Sequence, residues 1–158
     1  MRLLLLGCTG FVGRELVPAL LEADHQLTLV SRRLARGYEA ERADGRVKWL
    51  QLDPAKSVSW QTPELVEALS TSDAVVNLAG EPIAEKRWTA VHRKVLEDSR
   101  LDTTRLLVDA LAASKSPPSV LINASAIGFF GTSPTAKFVE SSPVGADFLA
   151  SLCQRWET

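Results

Sequence analysis

The stretch that most constrains this chain is residues 2–14, RLLLLGCTGFVGR, in which four leucines run without a polar break into glycines at 7, 10 and 13. An apolar run with no alternation reads as a strand buried on both faces, and the glycines behind it mark a tight turn into a helix. In such a unit Gly7 allows the turn, Gly10 lets backbone approach a pyrophosphate, and Gly13 lets the helix pack closely on the strand. The cradle would be lined by Thr9, Phe11 and Val12, with the first helix amides facing the anion. The spacing G-x-x-G-x-x-G is one residue wider than the general dinucleotide fingerprint. An ordinary buried strand and turn is the competing reading. A secretion signal is not expected, because only four apolar residues separate Arg2 from Gly7, fewer than the roughly 7 such a core requires.

At 158 residues the chain is one domain long and can bury a core without disulfides. A formal net charge of −1 gives no long-range attraction to nucleic acid or to a membrane surface. No stretch approaches the roughly 18 apolar residues of a membrane span. Cys8 and Cys153 are far apart and lack metal-ligand spacing, so a reducing, cytoplasmic location and no metal are expected.

Further along, residues 15–23 carry Leu16, Val17, Leu20 and Leu21 at helical spacing, with Pro18 in the first turns. His25 is read as a solvated turn residue, and residues 26–30 as the second strand. In a nucleotide-binding unit the end of that strand faces the adenosine ribose, where an acid suits the free hydroxyl and an arginine suits a 2′-phosphate. Here the chain reads Ser31-Arg32-Arg33, with Arg36 nearby. A guanidinium binds phosphate through two parallel hydrogen bonds. NADP is therefore expected over NAD, with Arg32 the principal ligand and Ser31 a hydroxyl partner. A solvated basic loop is the alternative.

Residues 46–52 form an expected third strand ending at Asp53, which either accepts from an adenine amino group or caps a turn. Thr62 caps a helix that has Pro63 in its first turn and runs to about residue 70. A fourth strand, residues 73–78, runs into Leu78-Ala79-Gly80, small residues that again permit close approach. Residues 81–88 read as a loop. Thr89 then caps a long helix to about residue 114, its buried face supplied by Val91, Val95, Leu101, Leu107, Val108 and Leu111. His92 on this helix is read as a surface or packed residue. The fifth strand, residues 119–124, leads into Ser125 and a Ser, Thr and Pro-rich loop, followed by an amphipathic helix from 147 that has no terminating residue. Strand and helix alternation demands a Rossmann-type, doubly wound parallel sheet in three layers.

With these pieces in order, the chain resembles the extended short-chain dehydrogenase/reductase superfamily. The glycine spacing is similar to that superfamily's cofactor motif, and Asn77-Leu78-Ala79-Gly80 resembles its Asn-Asn-Ala-Gly motif. A narrower resemblance is to the atypical branch labelled NAD-dependent epimerase/dehydratase or cell-division inhibitor. Residues 77–83, Arg87-Trp88-Thr89, Ser99-Arg100, residues 125–131, residues 147–150, Cys153 and Trp156-Glu157 match its pattern.

The resemblance implies a cofactor-binding domain over residues 1–158, truncated before the carboxyl-terminal part that completes the substrate pocket in members about twice as long. It also implies a small-molecule substrate and association as a homodimer through the long helix and the last one. Superfamily enzymes use a tyrosine four residues before a lysine, with a serine and an asparagine. Ser125 matches the serine, whereas Ser99 stands where the asparagine would be, and the last helix reads Phe148-Leu149-Ala150-Ser151-Leu152-Cys153. Tyr38, the only tyrosine, lies too early to serve. Glu81, Lys86, Arg87, Glu140 and Cys153 are the remaining candidates for moving a proton. Two functions follow: an oxidoreductase or nucleotide-sugar-epimerase-like enzyme with an unorthodox proton donor, or a non-catalytic NADP(H)-binding module for regulation or assembly.

Overall fold

The computed structural model describes residues 1–33 and 38–158. They divide into two compact units, Met1–Asn123 and Ala124–Thr158.

In the first unit the chain runs through β1 (Arg2–Leu6), α1 (Phe11–Glu22), β2 (Gln26–Ser31), a short α2 (Glu39–Ala43), β3 (Val47–Gln51), α3 (Pro63–Thr71), β4 (Ala74–Asn77), α4 (Ala90–Ala113) and β5 (Val120–Asn123). The five strands form one sheet in the order β3-β2-β1-β4-β5, and every pairing is parallel. Parallel neighbours require crossovers, and these are supplied by the helices. The fold is the expected α/β doubly wound one.

The leucine run explains the layering, since successive side chains of a strand point to opposite faces. Leu4 and Leu6 join Val30, Val75, Leu65, Leu69 and Leu107 on the face covered by α3 and α4. Leu3 and Leu5 join Val17, Leu21, Leu27 and Leu29 on the face covered by α1. Leu4, Leu5 and Leu6 are wholly buried, and each such side chain contributes about 1.5–3 kcal/mol through removal from water.

Three local expectations are corrected. The first helix begins at Phe11 rather than residue 15, directly behind the Gly10 cap position. Thr62 occupies the cap position of α3, but its hydroxyl donates to the Ser59 carbonyl at 2.8 Å instead, because a 3-10 turn (Ser57–Gln61) runs into it. On α4, Val91, Val95 and Val108 are exposed and Leu101 and Leu111 only partly buried, while His92, Leu96, Thr103 and Leu107 are buried. The buried stripe of the helix therefore contains one histidine and one threonine, and its Leu107 packs with Leu4 and Leu6 of the sheet. Thr89 does cap α4, accepting from the His92 amide at 3.1 Å.

The second unit holds a 3-10 turn (Ile127–Phe130) and α5 (Phe148–Glu157). Asp147 caps α5 by accepting from the Ala150 amide at 2.9 Å. Phe130 stacks on Phe138 with ring centroids 5.5 Å apart.

Candidate functional site

The strand order reverses at β1, where β2 lies on one side and β4 on the other. Register places Leu6 beside Val30 and beside Asn77, so the segments leaving β1, β2 and β4 emerge side by side. Ligands of open α/β sheets sit in the crevice at such a reversal, outside the carboxyl ends of the strands.

Gly7 turns the chain out of β1 with φ +76°, and a Cβ on it would lie 2.5 Å from the Leu78 carbonyl carbon. One on Gly13 would lie 2.3 Å from the Cys8 carbonyl oxygen. These two glycines are therefore demanded by the protein's own packing. Gly10 differs, because a Cβ there would meet only the Gly7 oxygen at 3.4 Å, an ordinary contact. It caps α1 without a side-chain hydrogen bond, and no acid stands in the first turn. Helix geometry leaves the amides of residues 11–13 without intrahelical partners. Phe11 is 91 % exposed and flanks this mouth with Val12, while the half-buried Thr9 accepts from Arg14 Nε at 3.3 Å through its carbonyl. Open space, unspent amides and a helix dipole together fit an anionic diphosphate.

At the end of β2, the buried Ser31 hydroxyl donates to the Arg33 carbonyl at 2.5 Å and accepts from Trp49 Nε1 at 2.9 Å. A hydroxyl has one proton to donate, so here it braces the turn that presents Arg32. Arg32 and Arg33 are exposed, and Arg36 lies outside the described residues. Asp53 accepts from the Ala55 amide at 3.1 Å, the turn-cap arrangement.

Arg32 is not unengaged. Its Nη2 lies 3.1 Å from Glu81 Oε2, while Lys86 Nζ lies 2.9 Å from Glu81 Oε1. The Glu81 amide donates to Ser99 Oγ at 2.9 Å, and its carbonyl accepts from Arg100 Nη1 at 3.1 Å. Ser99 in turn donates to the Leu96 carbonyl at 3.1 Å, so its hydroxyl holds the loop after β4 onto α4. Hydrogen bonding from Lys86 leads in pulling the Glu81 carboxyl below its ordinary value; burial opposes this, and Arg32 lowers it further. A carboxyl held ionised is an acceptor, which removes Glu81 as a general acid near neutral pH. Its pairing with Arg32 joins residues from different strand ends and has no local signature; only the opposite charges after β2 and β4 hinted at it.

Behind the crevice Asn77 is fully buried. Its Nδ2 donates to Asn123 Oδ1 at 2.6 Å and Thr104 Oγ1 at 3.1 Å, and its Oδ1 accepts from the Ala79 amide at 3.1 Å. This clamp sets the path of Leu78-Ala79-Gly80, where a Cβ on Gly80 would meet the Arg100 guanidinium at 2.9 Å.

In the second unit the exposed Ser125 hydroxyl donates to the Glu157 carboxylate. Glu157 was not among the proton-moving candidates, and no spacing links it to Ser125. Cys153 is buried. Among the described residues no three His, Cys, Asp or Glu side chains are grouped to hold a metal, and no helix is long and apolar enough to cross a membrane.

A five-stranded parallel sheet with a glycine turn and an uncapped helix start at its reversal point defines a Rossmann-type α/β domain. The NAD dependent epimerase/dehydratase family model matches residues 3–147, and the chain belongs to that family. It is 36 % identical over 157 residues to an Arabidopsis thaliana epimerase family protein, the chloroplastic SDR39U1 homolog, covering 96 % of this chain and 42 % of that protein. The crystal structure of human epimerase family protein SDR39U1 (isoform2) with NADPH superposes with a TM-score of 0.76 at 33 % identity, over 99 % of this chain and 48 % of that one. A nucleoside-diphosphate sugar epimerase from Corynebacterium glutamicum gives 0.71 at 28 % identity, over 99 % and 29 %. The chain spans about half the length of the curated relatives it matches.

Proposed function

We propose that residues 1–158 are the NADP(H)-binding domain of an oxidoreductase or nucleotide-sugar-epimerase-like enzyme that acts on a small carbonyl or hydroxyl compound without a Tyr-x-x-x-Lys relay. The observation that carries the reading is the crevice at the β1/β4 reversal, where Gly7 packs against Leu78 and Ala79 and the chain then runs through Gly10 into a helix with no side-chain cap and no acid in its first turn. The diphosphate is held by the amides of residues 11–13, and Arg32 selects the 2′-phosphate with donors that Glu81 leaves unspent. Asp53 and Arg33 border the adenosine end. The bound dinucleotide would supply hydride chemistry, and the chain supplies position and electrostatics. Ser125 is the residue assigned to a substrate carbonyl. The NADPH in the human relative's structure supports the preference. Cys8 and Cys153, both buried, are compatible with a cytoplasmic, reducing compartment. The exposed Val91, Val95 and Val108 give α4 an apolar surface suited to a homodimer.

Thermal shift with NADPH against NADH tests the cofactor assignment, since a ligand at about 100 times its dissociation constant stabilises by roughly 2.7 kcal/mol. Equal shifts remove Arg32 from its role. Sustained NADPH consumption with a panel of carbonyl compounds, abolished in Ser125→Ala, supports an enzyme.

A second reading is a non-catalytic NADP(H)-binding module. It is favoured by Glu81 being held ionised and by Tyr38, the only tyrosine, following β2, where burial leads in raising its hydroxyl above the ordinary value. Coenzyme binding with no consumption across the panel selects this reading.

A further inference from the structure

Glu81 combines three properties that an incidental surface ion pair lacks. Its side chain is only 8 % exposed, its backbone is fixed to α4 at both the amide and the carbonyl, and each carboxylate oxygen bonds a different cation. The cations come from separate segments: Arg32 follows β2, and Lys86 lies in the loop between β4 and α4. Both are solvent-facing, at 59 % and 61 % side-chain exposure. The buried acid thus gathers two cations from opposite sides of the reversal point and neutralises one, leaving an excess positive charge at the crevice rim.

We infer that Glu81 is the positioning residue of the 2′-phosphate site and that Lys86 is its second cation, the two basic groups being bracketed by one carboxylate so that both meet the same phosphate. This rests on the NADP(H) assignment above and deepens it. The chemistry suits the task. Arg32 spends one of its five N–H donors on Glu81 and Lys86 one of three, so both keep donors for a phosphate ester. That ester carries about −1.5 to −2 charges at pH 7. Each side chain also loses rotamer freedom when it is fixed, and the anchored carboxylate has already fixed both before the coenzyme arrives. A 2′-hydroxyl offers no charge to meet the excess, so the bracket discriminates between coenzymes as well as binding one.

The test measures dissociation constants for NADPH, NADH and adenosine 2′-monophosphate on the wild-type protein, Lys86→Ala, Glu81→Gln and the double variant. Lys86→Ala is expected to weaken NADPH and the 2′-monophosphate by about tenfold or more, the loss of one charge-assisted bond, and to leave NADH unchanged. Glu81→Gln weakens the same two ligands. Its effect shrinks in the Lys86→Ala background, because the acid acts through the cation it holds. Lys86 is solvent-facing, so its variant remains informative even if Glu81→Gln misfolds. Unchanged NADPH affinity in Lys86→Ala, an equal loss for both coenzymes, or tighter NADPH binding in Glu81→Gln overturns the bracket while the NADP(H) reading stands. Failure of the wild-type protein to bind either coenzyme overturns both.

Discussion

Gly7 and Leu78 are packed so closely that a methyl group on the glycine would stand 2.5 Å from the leucine's carbonyl carbon and oxygen. Two strand ends, remote in sequence, therefore meet backbone against backbone at the place where the crevice opens.

The glycines of the first turn consequently divide by role. Gly7→Ala faces both a positive φ and a backbone clash, and Gly13→Ala clashes with Cys8. Each is expected to cost about 2–4 kcal/mol, read as a lower urea midpoint. Gly10→Ala should cost less than about 1 kcal/mol, since the methyl would meet only the Gly7 oxygen at an ordinary 3.4 Å, yet it should weaken NADPH and NADH alike by obstructing the diphosphate.

Asn77 is expected to be the most sensitive polar residue of the sheet. Asn77→Ala removes both donors that clamp β4 to β5 and α4 and leaves the Ala79 amide without its acceptor. A loss on the order of 3 kcal/mol is predicted from chemical denaturation. Asn77→Asp should do no better, because a carboxylate cannot donate to Asn123 Oδ1 and is costly to bury.

The Glu81 pair gives a signed pH dependence. The folded-state carboxyl titrates below its ordinary value of 4.5, with the Lys86 hydrogen bond as the main cause. Its contribution is therefore fully present above that value and is lost as pH falls through the lower folded-state value. The stability difference between wild type and Glu81→Gln should hold from pH 7 to about 5 and then narrow on further acidification. Asp44 and Asp73, also lowered by hydrogen bonds, affect both proteins equally and cancel in the difference. A constant difference down to pH 3 contradicts the assignment.

Burial pushes the Cys8 thiol up to about 11, and Cys153 is buried in α5. At pH 8 about one Cys8 in a thousand is thiolate, too few and too enclosed for rapid disulfide exchange. Reaction with a chromogenic disulfide should therefore follow unfolding of the protein. Fast labelling of Cys8 in the native protein would show that the turn behind β1 opens.

Local chemistry reached as far as the features a few residues can settle. Leu3 to Leu6 and the glycines behind them specify a buried strand, a turn and a helix because all the relevant steric and hydrogen-bonding partners are close in the chain. The Thr89 cap reaches an amide only three residues away, which is why it was legible in the sequence. The face of α4 was not, because apolar valines recur on more than one side of that helix. Which side is buried depends on what packs against the helix: Leu96 and Thr103 are buried, and Leu107 joins Leu4, Leu6 and Val75 of the sheet.

The site divides along the same line. Sequence alone determined that a glycine turn and an arginine would stand at the ends of the first two strands, since strand ends and turn residues are local properties. Only the tertiary structure decided that the arginine would be held by Glu81, 49 residues away, and that Ser125 would meet Glu157, 32 residues on. Charge pairing depends on distance in space, and the parallel crossovers bring together groups whose separation along the chain carries no trace of their meeting.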